Sequence, residues 1–321
     1  LLVFSSSNAS DFCDSGETTS INVTINAISE DPVDLSCLEE VSGDLRIEDS
    51  STVSVDLSSL HTVGGEVYIS DNGSLESVDL GSLSSVGSYF QVQSNGNLSS
   101  LDLPLLESVG SILTVSSNDS LSEFSLPSLA SLEDDGDWSE VFVGYNNDME
   151  ELSLPLLSET NSVYIEGNSS LATIDFSSLV TVGNMNIYSE SGWYWDEDAE
   201  EEYLAGGVSS LSLDSLENVE GEFMLYNTTL STLSLPLLSS ADSFRLRYDS
   251  NITELSLPSV TELSYLDIYS NGSLESVDLS GLASANTFYL RYNQSLSSVD
   301  VTSLECVDEY EVSENDLDTD E

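Results

Sequence analysis

The chain repeats itself every 20 to 25 residues or so, and no other feature narrows its folds as sharply. NGSLESVDLGSLSSVGSYFQVQS runs from Asn72, and NGNLSSLDLPLLESVGSILTVSS follows from Asn95. Related blocks begin at Asn118, Asn146, Asn168, Asn227, Asn251, Asn271 and Asn293. With a less regular unit around Leu211 to Tyr226, and one or two before Asn72, the series amounts to about eleven units. A unit this short cannot bury an apolar side by itself. Stacked on its neighbours it can, so the period predicts a solenoid with one continuous core.

Each unit holds two short alternating stretches, the mark of strands. In the first, Val78-Asp79-Leu80 recurs as Leu101-Asp102-Leu103, Ile174-Asp175-Phe176 and Val277-Asp278-Leu279. In the second, Phe90-Gln91-Val92 recurs as Val163-Tyr164-Ile165, Phe244-Arg245-Leu246 and Phe288-Tyr289-Leu290. Outer residues of a triplet point one way and the middle residue the other. No apolar run keeps a 3.6-residue period for three turns, so helices are not expected. The predicted fold is all-β, a single parallel β-helix-like solenoid, roughly 50 Å long at about 4.8 Å per coil.

The pattern N-x-x-L-x-x-(V/I/L)-x-(L/F)-x-x-L-x-x-V-G resembles the repeat of receptor L domains, which are leucine-rich-repeat-like. It is most similar to fungal glycolipid-anchored cell-wall proteins of the sporulation-specific family. The entry fits too: Cys13, INVTI from Ile21 to Ile25, then Cys37 leading into Gly43-Asp44-Leu45-Arg46-Ile47. The likeness runs from Cys13 to about Val312. It implies a β-solenoid, secretion and a cell-surface setting, and implies no reaction. The expected organisation is an extension at 1–12, a solenoid at 13–312 with an insertion at 189–207, and an acidic tail at 313–321.

Cys13 and Cys37 lie about one coil apart and could staple the open first coil as a disulfide, or remain as buried thiols. Cys306 is the odd one, either a small buried hydrophobe or a thiol for pairing between molecules. Ten N-x-S/T sequons occur, at Asn8, Asn22, Asn72, Asn97, Asn118, Asn168, Asn227, Asn251, Asn271 and Asn293. Most open a repeat. They either carry N-linked glycans in a stripe along one edge or close turns with their own amides.

Charge excludes whole classes of partner. There are 59 acids against four arginines and no lysine, a net charge of −55, so phosphate-bearing partners, nucleic acid or anionic lipid, have no cations to meet. Yet 39% of the residues are hydrophobic and regularly spaced, which argues against disorder. No apolar run approaches the roughly 18 residues of a membrane span. The acidity suits high salt, divalent cations or a hydrated surface. On the first strand Asp56, Asp79 and Asp102 stack, which raises calcium as an expectation beside a plain solvated face.

The second strand's outward positions differ in kind. They include Arg46, Tyr68, Phe142, Tyr164, Tyr188, Met224, Tyr226, Arg245, Arg247, Tyr269, Tyr289 and Arg291. Every base of the chain lies here among aromatics, the residues that interfaces enrich. This predicts a contact face; the bland reading is ordinary cross-strand packing with arginines neutralising nearby acids. Leu1, Leu2, Val3 and Phe4 form an apolar strand that could pair with a neighbour's coil edge. In the insertion, Trp193, Tyr194 and Trp195 beside Asp196, Glu197 and Asp198 could stack on a sugar, anchor a neighbour or fold back.

Catalytic signals are thin. The single histidine, His61, precedes Val63-Gly64-Gly65 and is expected to be exposed. No nucleophile motif or phosphate-binding glycine loop occurs, and no cofactor is implied. The reading is an extracellular, non-enzymatic structural or interaction subunit that meets copies of itself or other surface proteins. The alternative is a monomeric receptor or adhesin binding a ligand, for example carbohydrate, through the Trp-rich insertion.

Overall fold

The computed structural model describes residues 2–4, 13, 18–26, 31–132, 138–189 and 207–317. Its strands pair in parallel, coil on coil, in an all-β solenoid of about twelve turns. The chain divides into two compact units, Leu1–Thr160 and Asn161–Glu321. A solenoid coil touches only its neighbours, so such a chain can divide between any two of them.

In the first unit each coil carries three strands. One sheet stacks Val23–Asn26, Leu45–Glu48, Val67–Ser70, Phe90–Gln93, Ile112–Ser116 and Glu140–Gly144, with Leu45, Val67, Phe90, Leu113 and Val141 in register. A second stacks Val33–Asp34, Ser54–Asp56, Ser77–Asp79 and Ser100–Asp102. A third, of two-residue strands such as Thr62–Val63, Ser85–Val86 and Ser108–Val109, comes from the V-G of the repeat. One coil turns Leu75, Val78, Leu80, Leu83, Val86, Phe90 and Val92 inward, none more than 2% exposed. Each contributes roughly 1.5–3 kcal/mol by burial.

The second unit keeps the inward pattern but lengthens one face. Its main sheet stacks Thr181–Tyr188, Asn218–Tyr226, Ser240–Arg247, Glu262–Tyr269, Ser284–Arg291 and Cys306–Ser313, eight or nine residues each. Strands Thr232–Ser234, Glu254–Ser256, Ser276–Asp278 and Ser298–Asp300 stack on another face. Inside, Phe223 and Phe244 stack at 5.0 Å with their rings 4° from parallel.

Both units close a corner with a ladder of buried polar side chains. The chain turns through a left-handed residue (Asp71, Ser94, Ser117 and Tyr145 in the first unit; Ser270, Tyr292 and Glu314 in the second), and an asparagine follows. The oxygen of Asn95 accepts from the backbone N–H of Asn72 at 3.1 Å and its side-chain N–H at 3.0 Å. Its own amide donates to Ile69 O at 3.0 Å and to Asn118 Oδ1 at 3.1 Å. Asn118, Asn271 and Asn293 repeat the arrangement. In Asn95, Asn118, Asn271 and Asn293 the buried amide nitrogen and oxygen thereby both find partners, as burial of polar groups requires.

At the ends the structure departs from the expectations drawn from sequence in two respects and meets them in one, the disulfide. Leu2–Phe4 pairs in parallel with Val23–Asn26 of its own chain, Val3 opposite Thr24, so it caps its own first coil instead of being donated to a neighbour. Leu1 lies outside the described residues. Cys13 and Cys37 form a disulfide across 24 residues. At the other end the solenoid passes residue 312, because Asn315 still joins the ladder through Leu290 O at 2.8 Å.

Candidate interaction surface

On the long sheet of the second unit, register builds two outward rows. Asn186, Met224, Arg245, Asp267 and Tyr289 form one; Tyr188, Tyr226, Arg247, Tyr269 and Arg291 form the other. Tyr248 and Tyr292, at left-handed corner positions, fold alongside the second row. The result is a run of tilted rings: Tyr188–Tyr226 at 6.1 Å, Tyr226–Tyr248 at 5.2 Å, Tyr248–Tyr269 at 5.4 Å and Tyr269–Tyr292 at 5.3 Å. Arginines interleave. Arg245 lies 4.7 Å from the centre of Tyr265, and Arg291 lies 5.2 Å from Tyr269 and 4.6 Å from Tyr289.

Asp267 ties the cluster together. It is fully buried and accepts from Arg247 Nε at 2.7 Å, from Arg247 Nη2, and from Arg291 Nη2 at 3.1 Å. Burial works against the charge on Arg247, but the attraction and hydrogen bond of Asp267 outweigh it and raise its pKa above the ordinary arginine value. Arg291 is raised in the same way, against burial, by Asp267 and more weakly by Glu311. Burial, reinforced by Glu222 and Tyr164, pushes the Tyr188 phenol up to about 12. Tyr289 reaches about 12 as well, chiefly because it donates to Glu309 at 2.6 Å.

The arginines are therefore where the sequence places them, but they do not project as free cations. Arg245 pairs with Glu222 at 3.0 Å, and in the first unit Arg46 pairs with Glu66 while lying 5.3 Å from the ring centre of Tyr68. Met224 is 6% exposed and is not a contact residue at all. Phe142 and Tyr164 are half-buried on their own strands. Sequence reasoning missed Asp267, Glu222, Tyr248 and Tyr265. The signal was an acid in the strand Tyr265-Leu266-Asp267-Ile268-Tyr269, at the position where the flanking coils carry Arg245 and Tyr289.

The sugar stripe does not survive the ladder. Asn72, Asn118, Asn168, Asn227, Asn271 and Asn293 are at most 2% exposed, and the amides of Asn72, Asn118, Asn271 and Asn293 donate into the corner. A glycan there would displace those bonds. Asn22 is half-buried, its oxygen accepting from Asp44 N at 2.9 Å. Asn97 and Asn251 are exposed, and Asn8 lies outside the described residues.

Asp56, Asp79 and Asp102 do stack, in a cleft of 380 Å³. Asp56 and Asp79 each accept a backbone N–H two residues on, at 3.0 Å. Among the described residues no group of three or more His, Cys, Asp or Glu could hold a metal ion, so calcium gains no support. Cys306 is exposed, which corrects its reading as a buried hydrophobe. His61 is exposed as expected. Trp193, Tyr194 and Trp195 lie outside the described residues. No helix among the described residues is long and apolar enough to cross a membrane.

Parallel strands stacked in register, coil on coil, define a repeat solenoid. Neither a family model nor a curated protein matches the chain. A crystal structure of a leucine-rich repeat protein from Bacteroides ovatus ATCC 8483 aligns over 91% of this chain and 82% of its own, at 14% identity and a TM-score of 0.34, too low to carry an argument. None of the comparisons points to the fungal cell-wall family.

Proposed function

We propose that the chain is an extracellular, non-enzymatic interaction module that associates with copies of itself or with other surface proteins through the Tyr/Arg sheet of the second unit. The observation that carries this reading is the locked aromatic–arginine array around Asp267. Side chains already held in place lose little rotamer entropy on binding, so rigid tyrosine and arginine contribute more affinity than mobile residues would. The disulfide fits an oxidising, non-cytosolic compartment. In such a setting Asn97 and Asn251 are the exposed sequons among the described residues, the Asn97 amide giving up only a surface bond to Gly73 O to take a glycan.

Sedimentation of the unreduced chain across a concentration series tests the reading, with electron microscopy of the same material. Higher-order species that weaken on Tyr269→Ser and Tyr292→Ser, and persist on Cys306→Ser, support it. A monomer at every concentration, with no partner retained from a surface extract, sinks it. Species lost only on Cys306→Ser would move the contact to the exposed thiol.

A further inference from the structure

In the second unit the ladder contains an acid. Thr228 takes one corner position and Asp249 the next, followed by Asn271, Asn293 and Asn315. Asp249 is fully buried. Its Oδ1 accepts from the Thr228 backbone N–H at 2.7 Å and from the Thr228 hydroxyl, just as an asparagine oxygen accepts from the coil before it. Its Oδ2 occupies the place where every asparagine of the ladder carries an NH2 group, and it has no partner.

Register shows what that atom meets. Asn271, Asn293 and Asn315 donate to Leu246 O, Ile268 O and Leu290 O, one strand residue per coil. The strand partner of Leu246 in the preceding coil is Leu225, so the acceptor facing Oδ2 is Leu225 O. The second acceptor in an asparagine ladder is the next amide oxygen, here Asn271 Oδ1, which already takes the Asp249 N–H at 2.9 Å. An ionised carboxylate would set oxygen against oxygen on both sides, inside a fully buried corner, and buried unpaired charge is among the costliest things a fold can hold. A proton on Oδ2 supplies one of the two missing donors.

We infer that Asp249 is held as a neutral carboxylic acid within the ladder, and that its ionisation loosens the corners at residues 226–228, 247–249 and 270–271. Flanking strands carry Glu220, Glu222 and Tyr226 on one side, Glu262, Tyr265, Asp267 and Tyr269 on the other, and Asp242, Arg245 and Arg247 on its own strand, with Tyr248 adjacent. The carboxyl itself accepts its hydrogen bonds from Thr228. Burial, opposed only by the two bonds from Thr228, accordingly carries the group up to about 7 from 3.8. The folded form binds the proton more tightly than the unfolded chain. This stability is therefore full below the unfolded pKa, falls as pH rises through the folded value, and is gone above it. The loosened corners bear Tyr226 and Tyr248 and adjoin Tyr269, so the device stabilises the aromatic run in acid, whether or not that run binds a partner.

Urea unfolding of the full chain at pH 4, 5, 6, 7 and 8, against Asp249→Asn, tests it. An asparagine completes the ladder, so the variant should unfold at higher urea than the wild type at pH 8, and the gap should shrink as pH falls. The two pKa values bound the change in the ratio of their unfolding constants between pH 4 and 8 at about a thousandfold. A constant gap, or a variant weaker than wild type at pH 8, overturns the inference. If Asp249→Asn fails to fold, infrared spectra of the wild type decide. A buried carboxylic-acid carbonyl band present at pH 6 and lost at pH 9 upholds it; no such band at pH 6 overturns it.

Discussion

The two units turn the same corner differently. In the first, three residues separate the core positions on either side of the bend, as from Val63 to Val67, Val86 to Phe90 and Val109 to Leu113. In the second, two residues suffice, from Ala241 to Phe244, Leu263 to Leu266 and Ala285 to Phe288. With three residues the chain breaks into a two-residue strand and a strand of four or five; with two it runs on as one strand of eight. Val219 to Phe223 mixes the types, and there the register slips between Val219 and Glu222. The bend also constrains side chains. A Cβ on Gly87 would lie 2.2 Å from Gly64 O, and one on Gly110 would lie 2.3 Å from Gly87 O, so only glycine lets these backbones meet. The straighter path tolerates Asp242, Ser264 and Asn286, all pointing to solvent.

Charge is handled differently as well, and the largest predicted effect follows from that. Asp267 is fully buried between Arg247 and Arg291, whereas the Arg46–Glu66 pair of the first unit is part-exposed. Asp267→Ala leaves two half-buried guanidinium groups without their shared acceptor and should cost about 3–5 kcal/mol in urea unfolding. A cost near 1 kcal/mol would mean that the cluster behaves like a surface pair.

The ladder comes next. Asn95→Ala removes an acceptor used twice by Asn72 and the donor to Ile69 O, and should cost about 2–4 kcal/mol. The second unit already accommodates a hydroxyl at this position in Thr228, so Asn95→Thr should cost less, about 1–2 kcal/mol. Equal costs would show that hydroxyl and amide are not interchangeable there.

The bend follows. Gly87→Ala should cost about 1–3 kcal/mol, since the atom that the new methyl meets is backbone and can yield only by moving a coil. Ser264→Ala, at the matching place in the second unit, should stay within about 0.5 kcal/mol. If both are neutral, the coils of the first unit slide freely and the glycine column has another cause.

Much of this was legible in the residues. Periodicity yields the parallel coils, and triplet alternation yields the buried Val78 and Leu80 around exposed Asp79. What escaped is the meaning of the asparagines. N-x-S/T reads alike whether the amide carries sugar or bonds inward, and only burial separates Asn97 from Asn118. Framing the repeats on sequons also displaced two of them. Arg247-Tyr248-Asp249 aligns with Arg291-Tyr292-Asn293, which makes Asp249, not Asn251, the ladder residue. Asp267 was hidden for another reason: an outward strand position looks solvated unless long neighbours from adjacent coils close over it, as Arg247 and Arg291 do here.

The smallest effect completes the comparison. Arg46 and Glu66 join strands of the first unit with side chains 38% and 20% exposed, so water screens them and their mutual attraction is worth about 0–1 kcal/mol. Removing Glu66 also takes one negative charge from a chain of net charge −55, which relieves repulsion in the compact state. The two contributions oppose each other, so Glu66→Ala should be nearly neutral in dilute buffer. Salt screens both, the diffuse repulsion more than the contact pair, because most of the other acids lie farther away than the Debye length of about 8 Å at physiological ionic strength. The variant should therefore become slightly the less stable of the two as salt is raised. Urea midpoints at low and high salt measure this directly. A clear loss at low salt, comparable with that of Asp267→Ala, would show that exposure does not separate the two clusters and that the contrast drawn between the units is wrong.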